Sequence, residues 1–332
     1  MALTVQDLGE QGLLARLQAY CPLDIIGDDA AIISLAVGQS LVVTTDVLIQ
    51  DVHFSDRTTR PEDVGWRSAA ANLSDLAAMG ATPVGITVGL GLPKDTSVPW
   101  LEAFYHGLRD CLDPWQTPIL GGDVVRSPFI SISITALGQV SPQRVIRRST
   151  AQVGDCIVAT GLHGASRAGL ELLLHPERGE RLSDSDRAYF IRAHQRPQPR
   201  LDILPYLFNA PPEPLRIAGM DSSDGLADAV LQICRASQVG ANLEQENLPI
   251  SELLVAWVGE EKALDWTLYG GEDFELVLCL SPILAPSLVQ YLGEKAKIIG
   301  RVTDSKQVIL SNSLGQEKLL SLEKGFQHFA SD

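Results

Sequence analysis

The chain has 332 residues, of which 45% are hydrophobic, 6% aromatic and 20% charged, a composition typical of globular proteins and too apolar for a disordered chain. Lys and Arg number 26 against 41 Asp and Glu, and the resulting formal charge of −15 disfavours binding to nucleic acid. Residues 1–20 lack the pattern of a secretory signal, and no apolar run approaches the ~18 residues of a membrane span. We therefore expect a two-domain cytoplasmic protein that binds neither nucleic acid nor a membrane.

Helical and strand patterns alternate over the first part of the chain. The first helix is predicted at residues 7–20, where leucines recur on one side. Strand patterns follow at 41–43, 84–90 and 130–135, where aliphatic residues are consecutive or alternate with small or polar ones. A further helix is predicted at residues 62–79, between the first two strands.

The second part of the chain follows a polar, basic segment at residues 141–154 that has no long periodic run. We place the domain boundary there and predict domains at 1–145 and 146–332. Further strand and helix patterns are expected from residue 155 onwards, at 221–236, at 275–280 and at 298–302. This alternation predicts a mixed α/β or α+β fold for both halves.

The cysteines and histidines do not predict a transition-metal site. The five cysteines lie far apart without a C-x-x-C pair, and the six histidines lack the short spacing of zinc ligands. We expect reduced cysteines in the core and, if a metal binds, oxygen ligands.

The helix at residues 62–79 is predicted to be buried because most of its residues after Gly65 are small or aliphatic. At 100° per residue, Ser68, Asn72 and Asp75 form one narrow polar line along it. A carboxylate in such a place needs a cation or several hydrogen-bond donors beside it. A hydrogen bond to a neighbouring turn and a metal ion are both open interpretations of Asp75.

Further aspartates follow apolar runs and stand next to small residues, and Asp46 and Asp123 are predicted to lie at strand ends. Each alone is also typical of a turn or a helix cap, and the Asp221-Ser-Ser-Asp224 segment directly precedes a helical pattern. Their repetition indicates a shared purpose, since carboxylates with adjacent hydroxyls are the hard oxygen ligands that Mg²⁺ prefers. These aspartates are Asp28, Asp29, Asp46, Asp123, Asp221 and Asp224.

Magnesium in turn points to phosphate chemistry, because an acidic pocket repels a polyphosphate unless divalent ions lie between them. The P-loop, the G-x-G-x-x-G fingerprint and the protein-kinase motifs are all missing from the sequence. The loop at residues 160–166 follows a strand and could hold an anion, although such a loop is more often a simple strand-to-helix turn.

The aspartates stand in motifs that occur in a known order. These are Gly27-Asp-Asp-Ala-Ala, Thr44-Thr-Asp, Asn72-Leu-Ser-Asp-Leu-Ala-Ala-Met-Gly-Ala, Gly121-Gly-Asp, Asp221-Ser-Ser-Asp-Gly-Leu and Gly270-Gly-Glu-Asp-Phe-Glu-Leu. With these motifs, and over nearly its whole length, the chain resembles the thiamine-monophosphate kinase family. That family shares its architecture with the aminoimidazole ribonucleotide synthetases, the selenophosphate synthetases and a hydrogenase-maturation protein.

The resemblance implies an ATP- and Mg²⁺-dependent enzyme that transfers the γ-phosphoryl group directly to thiamine monophosphate, giving thiamine diphosphate. It implies two α/β domains, with the N-terminal sheet pairing with that of a second subunit into a barrel, and thus a homodimer. The N-terminal domain would bind ATP and magnesium, and the C-terminal domain would complete the nucleotide and substrate sites. No general base is implied, because the attacking phosphate oxygen is already ionised at neutral pH.

The resemblance also assigns roles to particular residues. The metal ligands it implies are Asp29, Thr44, Thr45, Asp46, Asp75, Asp123, Asp221 and Asp224. The contacts to ATP it implies are Tyr105, Gly122, Asp123, Arg148 and Ser223. The contacts to thiamine monophosphate it implies are His53, Glu272 and Phe326.

The contact residues other than aspartate have structural interpretations too. Arg148 closes a basic cluster suited to phosphate oxygens but is also typical of a solvated loop. His53 could be a surface histidine, Glu272 a turn residue, and Tyr105 and Phe326 hydrophobic packing.

Two other function classes stay open from the sequence. One is another ATP-dependent enzyme of the same superfamily, such as a selenophosphate synthetase or a cyclo-ligase. Cys21 lacks a glycine-rich setting, and the chain has no cysteine near its C-terminus, which weakens the selenium and hydrogenase-maturation alternatives. The other class is a non-catalytic protein that binds divalent ions.

Overall fold

The computed structural model describes residues 3–22, 25, 30–209 and 216–322. The chain divides into two compact units, the first formed by Met1–Leu76 and Ala81–Pro142 and the second by Ala77–Gly80 and Gln143–Asp332. Within the described residues, no helix is both long and apolar enough to cross a membrane.

The first unit alternates helices and strands, as its sequence patterns predict. Its elements are α1 Val5–Leu17, β1 Ser40–Ile49, α2 Pro61–Ala78, β2 Thr82–Leu92, α3 Val98–Leu112, β3 Ile119–Arg126 and β4 Ser131–Val140. α1 begins at a capping box in which Thr4 and Asp7 hydrogen-bond each other, and it kinks at Gly9, whose φ is 66°. The predicted helix at 7–20 thus ends earlier and continues as a 3₁₀ turn.

The strands of the first unit form one sheet in the order β1-β4-β2-β3, with β2 and β3 parallel and the other pairs antiparallel. Alternation along β4 buries Ile132, Ile134 and Ala136 completely. α2 packs against this face, since a Cβ at Gly138 of β4 would lie 2.9 Å from the Leu76 Cδ2 of α2. The prediction of a buried helix is confirmed.

The second unit contains more helices and strands than the first among the described residues. They are β5 Cys156–Ala159, α4 Ala165–Leu174, α5 Asp184–Gln195, α6 Leu204–Asn209, β6 Ala218–Asp221, α7 Leu226–Ser237, β7 Gly240–Glu244, α8 Glu252–Val258, α9 Glu260–Tyr269, β8 Leu276–Leu280, α10 Leu284–Leu292, β9 Lys297–Thr303, β10 Val308–Ser311 and β11 Glu317–Leu319. Their strands form a mixed sheet in the order β11-β10-β7-β9-β5-β8-β6. The predicted mixed α/β class is therefore confirmed for both units, whereas the barrel shared by two subunits stays a prediction.

Two hydrophobic clusters hold the second unit together. In the first, Leu226, Val230 and Ile233 of α7 pack with strand residues such as Ile157 and Val277. The second joins helices α4, α5, α8 and α9 around aromatic and aliphatic side chains, including Phe190 and Trp266. The cysteines are free thiols, four of them buried and Cys21 half-buried, in agreement with the sequence.

Candidate functional site

Two of the predicted oxygen ligands are far apart in the sequence but meet in the first unit. The Thr44 hydroxyl, on β1, donates a hydrogen bond to the Asp75 carboxylate, on α2. Thr44 and Asp46 pair with Ala136 and Ile134, so they share the face of β1 that turns towards the core. Asp75 is half-buried. On its polar line, Ser68 and Asn72 instead hydrogen-bond within the helix, to Val64 and Ser68 respectively.

Asp46 and Asp123 both lie inside strands, whereas their positions after apolar runs predicted strand ends. β1 continues beyond Asp46 to Ile49, and β3 continues beyond Asp123 to Arg126. We expected a strand end at each aspartate because the carboxylate interrupts an apolar run, but apolar residues resume at 47–49 and at 124–125. Asp123 is exposed, and its Oδ1 accepts a hydrogen bond from the backbone N–H of Val124 at 2.9 Å.

Thr45 points to the opposite face of β1 from Thr44. Its Oγ1 lies 2.9 Å from the Oγ1 of Thr135 on β4. His53 follows β1 in a turn, where its Nδ1 accepts the backbone N–H of Ile49 at 3.1 Å. An accepting Nδ1 places the ring hydrogen on Nε2.

A cavity of about 430 Å³ in the first unit is lined by Tyr105, Gly122 and Asp123, three of the residues assigned to ATP. Its walls also include apolar side chains that sequence reasoning did not select, such as Leu14 and Leu17 of α1. This size and mixed lining suit a small organic ligand. The Tyr105 ring is buried and stands 4.9 Å from the Tyr20 ring, and burial raises the pKa of Tyr105 far above its usual value.

The Asp221–Asp224 segment of the second unit connects β6 to α7. Asp221 is the last residue of β6 and is 2% exposed, while Asp224 is exposed. The Ser223 hydroxyl donates to Asp221 Oδ1 at 3.2 Å. The φ of 108° at Gly225, where α7 begins, lies in a region that favours glycine.

Arg148 lies in a 3₁₀ turn whose backbone is fixed to the end of α7, since the Ser237 hydroxyl donates to the Arg148 carbonyl at 2.7 Å. The Arg148 side chain is exposed. Burial and the neighbouring Asp224 charge raise the pKa of Asp228 on α7, and Arg148 acts in the opposite direction. Arg148 and Asp228 are thus close enough to interact electrostatically.

The loop before β8 carries Glu272 in a left-handed backbone conformation, with φ of 59° at Glu272 and 52° at Phe274. The backbone N–H of Glu272 donates to the Ser223 carbonyl at 2.6 Å, which ties this loop to the 221–224 segment. Glu272 Oε2 lies 3.7 Å from Nδ1 of the buried His194. Two segments with predicted ligand contacts are therefore joined directly.

The half-buried Asp273 of this same loop was not selected by sequence reasoning. The Asp273 carboxylate accepts the backbone N–H groups of Gly164 at 2.7 Å and Ser166 at 2.9 Å, at the start of α4. Burial raises the pKa of Asp273 to about 6 against the opposing effects of His163 and these N–H groups. The 160–166 loop thus does hold an anion, and that anion is a side chain of the protein itself.

The described residues do not complete the predicted metal site. Within residues 3–22, 25, 30–209 and 216–322, no group of three or more His, Cys, Asp and Glu is placed to hold a metal ion. Asp28, Asp29 and Phe326 lie outside the described residues. The donor set that is present has the oxygen chemistry that suits Mg²⁺: the Thr44 hydroxyl is bonded to the half-buried Asp75 carboxylate, and Asp46 lies on the same face of β1 as Thr44.

Comparison with known proteins shows the family. The N-terminal domain model of the AIR synthase related proteins matches residues 27–140, and the C-terminal domain model matches residues 152–311. The thiamine-monophosphate kinase of Synechococcus elongatus is 54% identical, with 99% of this chain and 98% of the relative covered.

Solved structures agree with the sequence relatives. The thiamine-monophosphate kinase of Stenotrophomonas maltophilia superposes with a TM-score of 0.79 at 35% identity, covering 93% of this chain and 97% of that chain. A structure of AaThiL complexed with AMPPCP and TMP gives a TM-score of 0.74 at 30% identity, covering 99% and 100%. On this evidence of sequence and fold, the chain belongs to the thiamine-monophosphate kinase family of AIR synthase related proteins.

Proposed function

We propose that the protein phosphorylates thiamine monophosphate with ATP, giving thiamine diphosphate and ADP. Similarity over the full length to a thiamine-monophosphate kinase at 54% identity is the observation that carries this proposal. The related AaThiL binds AMPPCP and TMP, which are an ATP analogue and a ligand consistent with this pair of substrates.

ATP is the co-substrate, and the cavity at Tyr105, Gly122 and Asp123 is its proposed place in the first unit. The apolar walls would take the base, while the exposed carboxylate of Asp123 faces the polar part of the ligand. In the second unit, Arg148 and Ser223 are the proposed contacts to phosphate, because a guanidinium and a hydroxyl both donate to phosphate oxygens.

We propose that thiamine monophosphate contacts His53, Glu272 and Phe326. The carboxylate of Glu272 suits the cationic thiazolium or the aminopyrimidine of the substrate. The backbone N–H of Glu272 donates to the Ser223 carbonyl, and this hydrogen bond holds the backbone from which the Glu272 side chain extends. Phe326 lies outside the described residues and rests on the sequence resemblance alone.

Magnesium is the proposed metal, held by Thr44, Thr45, Asp46, Asp75 and Asp123 in the first unit and by Asp221 and Asp224 in the second, together with Asp29. Bound Mg²⁺ neutralises phosphate charge during transfer. The chain's own residues contribute position: the Thr44–Asp75 hydrogen bond joins β1 to α2, and Ser223 orients Asp221. Transfer to an ionised phosphate oxygen requires no general base, so none is assigned.

A homodimer is proposed in which the first unit's sheet pairs with that of a second copy. β1 is an edge strand of this sheet and exposes Leu41, Val43 and Val47, each about half accessible. An exposed apolar edge strand is a surface that proteins ordinarily cover. The enzyme is proposed to act in the cytoplasm, where ATP is available.

The decisive experiment mixes the purified protein with ATP, Mg²⁺ and thiamine monophosphate and follows thiamine diphosphate by chromatography. Unphosphorylated thiamine in place of the monophosphate is the matched control and should give no product. Failure to form thiamine diphosphate, with selenide-dependent or ligase turnover instead, would identify another enzyme of the superfamily. ATP and Mg²⁺ binding without any turnover would identify a binding protein.

A further inference from the structure

His163 is a fully buried histidine that the proposed chemistry does not use. It belongs to the loop between β5 and α4, and both polar groups of its backbone are fixed. Its N–H donates to the Pro249 carbonyl at 3.0 Å, and its carbonyl accepts from the Thr267 hydroxyl at 3.3 Å. The backbone that carries the imidazole is therefore held in place by two hydrogen bonds.

The two ring nitrogens of His163 have different partners. Nδ1 lies 3.0 Å from the carbonyl oxygen of Gly161, and Nε2 lies 3.0 Å from the hydroxyl of Ser222. A carbonyl accepts hydrogen bonds and never donates them, so Nδ1 must carry a hydrogen. The Gly161 contact thus fixes the ring plane and aims Nε2 at Ser222.

Ser222 stands between Asp221 and Ser223 and is 1% exposed. Its backbone N–H donates to the Glu275 carbonyl at 2.8 Å, its carbonyl accepts from Gly225 at 3.0 Å, and its hydroxyl is within 3.1 Å of the Glu275 carbonyl. The contact to His163 joins this segment to the β5–α4 loop through side chains. Ser222 itself is buried, and its neighbours carry the predicted contacts.

We infer that His163 is a positioning residue, which holds the Asp221–Asp224 segment in its ligand-binding shape through the Ser222 hydroxyl. This inference rests on the proposed function, because it assigns His163 a part in that reaction. A misplaced carboxylate on this segment would lower turnover and weaken the binding of magnesium without touching the substrate. The 160–166 loop therefore supports two segments with predicted ligand contacts. His163 contacts Ser222, and the backbone N–H groups of Gly164 and Ser166 hold Asp273, which is next to Glu272.

Two conservative substitutions separate the ring's two contacts. The side-chain amide of asparagine lies where Nδ1 is, so His163→Asn keeps the bond to Gly161 and loses Ser222. The longer glutamine places its amide where Nε2 is, so His163→Gln keeps the bond to Ser222 and loses Gly161. We expect kcat to fall about 5- to 10-fold in His163→Asn, the factor that matches one lost hydrogen bond, and to stay within about 2-fold in His163→Gln.

Thr267→Val is the matched control, since it removes a hydrogen bond to the His163 backbone and leaves the imidazole and Ser222 in place. It should lower the thermal unfolding temperature and leave kcat and the half-saturating Mg²⁺ concentration unchanged. In His163→Asn the half-saturating Mg²⁺ concentration should rise. In a Ser222→Ala background, His163→Asn should have no further effect on kcat, because the shared contact is already gone.

Equal loss of kcat in the asparagine and glutamine variants, or additive effects of His163→Asn and Ser222→Ala, would overturn the inference. Hydrogen exchange of residues 221–226 tests the same contact without any turnover. Exchange should speed up in His163→Asn and not in His163→Gln, and unchanged exchange in both would also overturn it. A wild-type protein that makes no thiamine diphosphate would refute the proposed function, and the exchange result would still decide the role of His163.

Discussion

Asp75 is a half-buried helix residue whose carboxylate accepts a hydrogen bond from Thr44, and we propose it as a magnesium ligand. Removing the carboxylate with Asp75→Ala should lower kcat by at least about 100-fold, the size of effect seen when a group that stabilises transition-state charge is lost. The fold should persist, because Asp75 is half-buried on a helix whose core contacts come from other residues. The measurement is steady-state formation of thiamine diphosphate, with circular dichroism as the test of folding.

Asp95→Ala is the control for this prediction, since Asp95 is an exposed carboxylate in the loop between β2 and α3 of the same unit. It removes the same charge and should leave kcat unchanged. Turnover close to wild type in Asp75→Ala would mean that Asp75 is a structural acceptor for Thr44 and no metal ligand. Asp46→Ala is expected to abolish turnover for the same reason as Asp75→Ala.

The half-buried Asp273 makes stability depend on pH. Its folded pKa of about 6 lies above the ordinary 3.8, so the folded state binds a proton more tightly than the unfolded state. The stabilisation is fully present below pH ~4 and is lost as the pH rises through about 6, amounting to at most about 3 kcal/mol. Thermal unfolding of wild type and Asp273→Asn between pH 4 and 7 measures this.

The advantage of wild type over Asp273→Asn should be largest near pH 4 and shrink towards pH 7. A constant difference over this range would show that Asp273 is ionised at every pH, held so by the N–H groups of Gly164 and Ser166.

At the scale of elements, α2 and α3 approach each other through glycines. A Cβ at Gly65 of α2 would lie 1.9 Å from the Phe104 carbonyl oxygen, and one at Gly107 of α3 would lie 1.7 Å from the Glu62 carbonyl oxygen. Backbone atoms cannot move aside as a flexible side chain can. The helix that carries Asp75 therefore keeps its position through close backbone contact.

Gly65→Ala should destabilise the protein by about 1–3 kcal/mol, because the added methyl group forces the helices apart. The comparison is Gly12→Ala on α1, where a Cβ meets nothing closer than the Leu8 Cβ at 3.5 Å. There alanine should stabilise by about 0.5–1 kcal/mol through its higher helix propensity. Urea unfolding midpoints of both variants measure the difference, and an equal shift in the two would contradict the close-contact explanation.

For the molecule as a whole, the proposed dimer depends on the exposed edge strand β1, which would form the contact between the two subunits. Val43 is 56% exposed, and a charge there would oppose burial against a second subunit. Val43→Asp should therefore convert the dimer to a monomer in analytical ultracentrifugation. Val153→Asp, at a valine 60% exposed in the second unit, is the control and should leave the dimer intact. A monomeric wild-type protein would refute the proposal directly.

Local patterns in the amino-acid sequence were enough to predict most elements of the fold and to indicate the family. Alternating isoleucines predicted β4, small residues predicted the buried α2, and the ordered aspartate motifs indicated phosphate chemistry with oxygen-bound metals. Such patterns are local, because strand and helix periods repeat within a few residues. Strand ends were less well predicted, as Asp46 and Asp123 show, since strand pairing extends β1 and β3 past the apolar runs.

Contacts between side chains that are distant in sequence could be identified only from the three-dimensional fold. Thr44 and Asp75 are 31 residues apart, His163 and Ser222 are 59 apart, and Asp273 reaches amides 107 and 109 residues away. None of these pairs has a local signal, because each depends on strand order and on loops that the sequence pattern does not specify. The loop at 160–166 is an example. The sequence indicated that this loop could bind an anion, but only the fold shows that the anion is the Asp273 carboxylate.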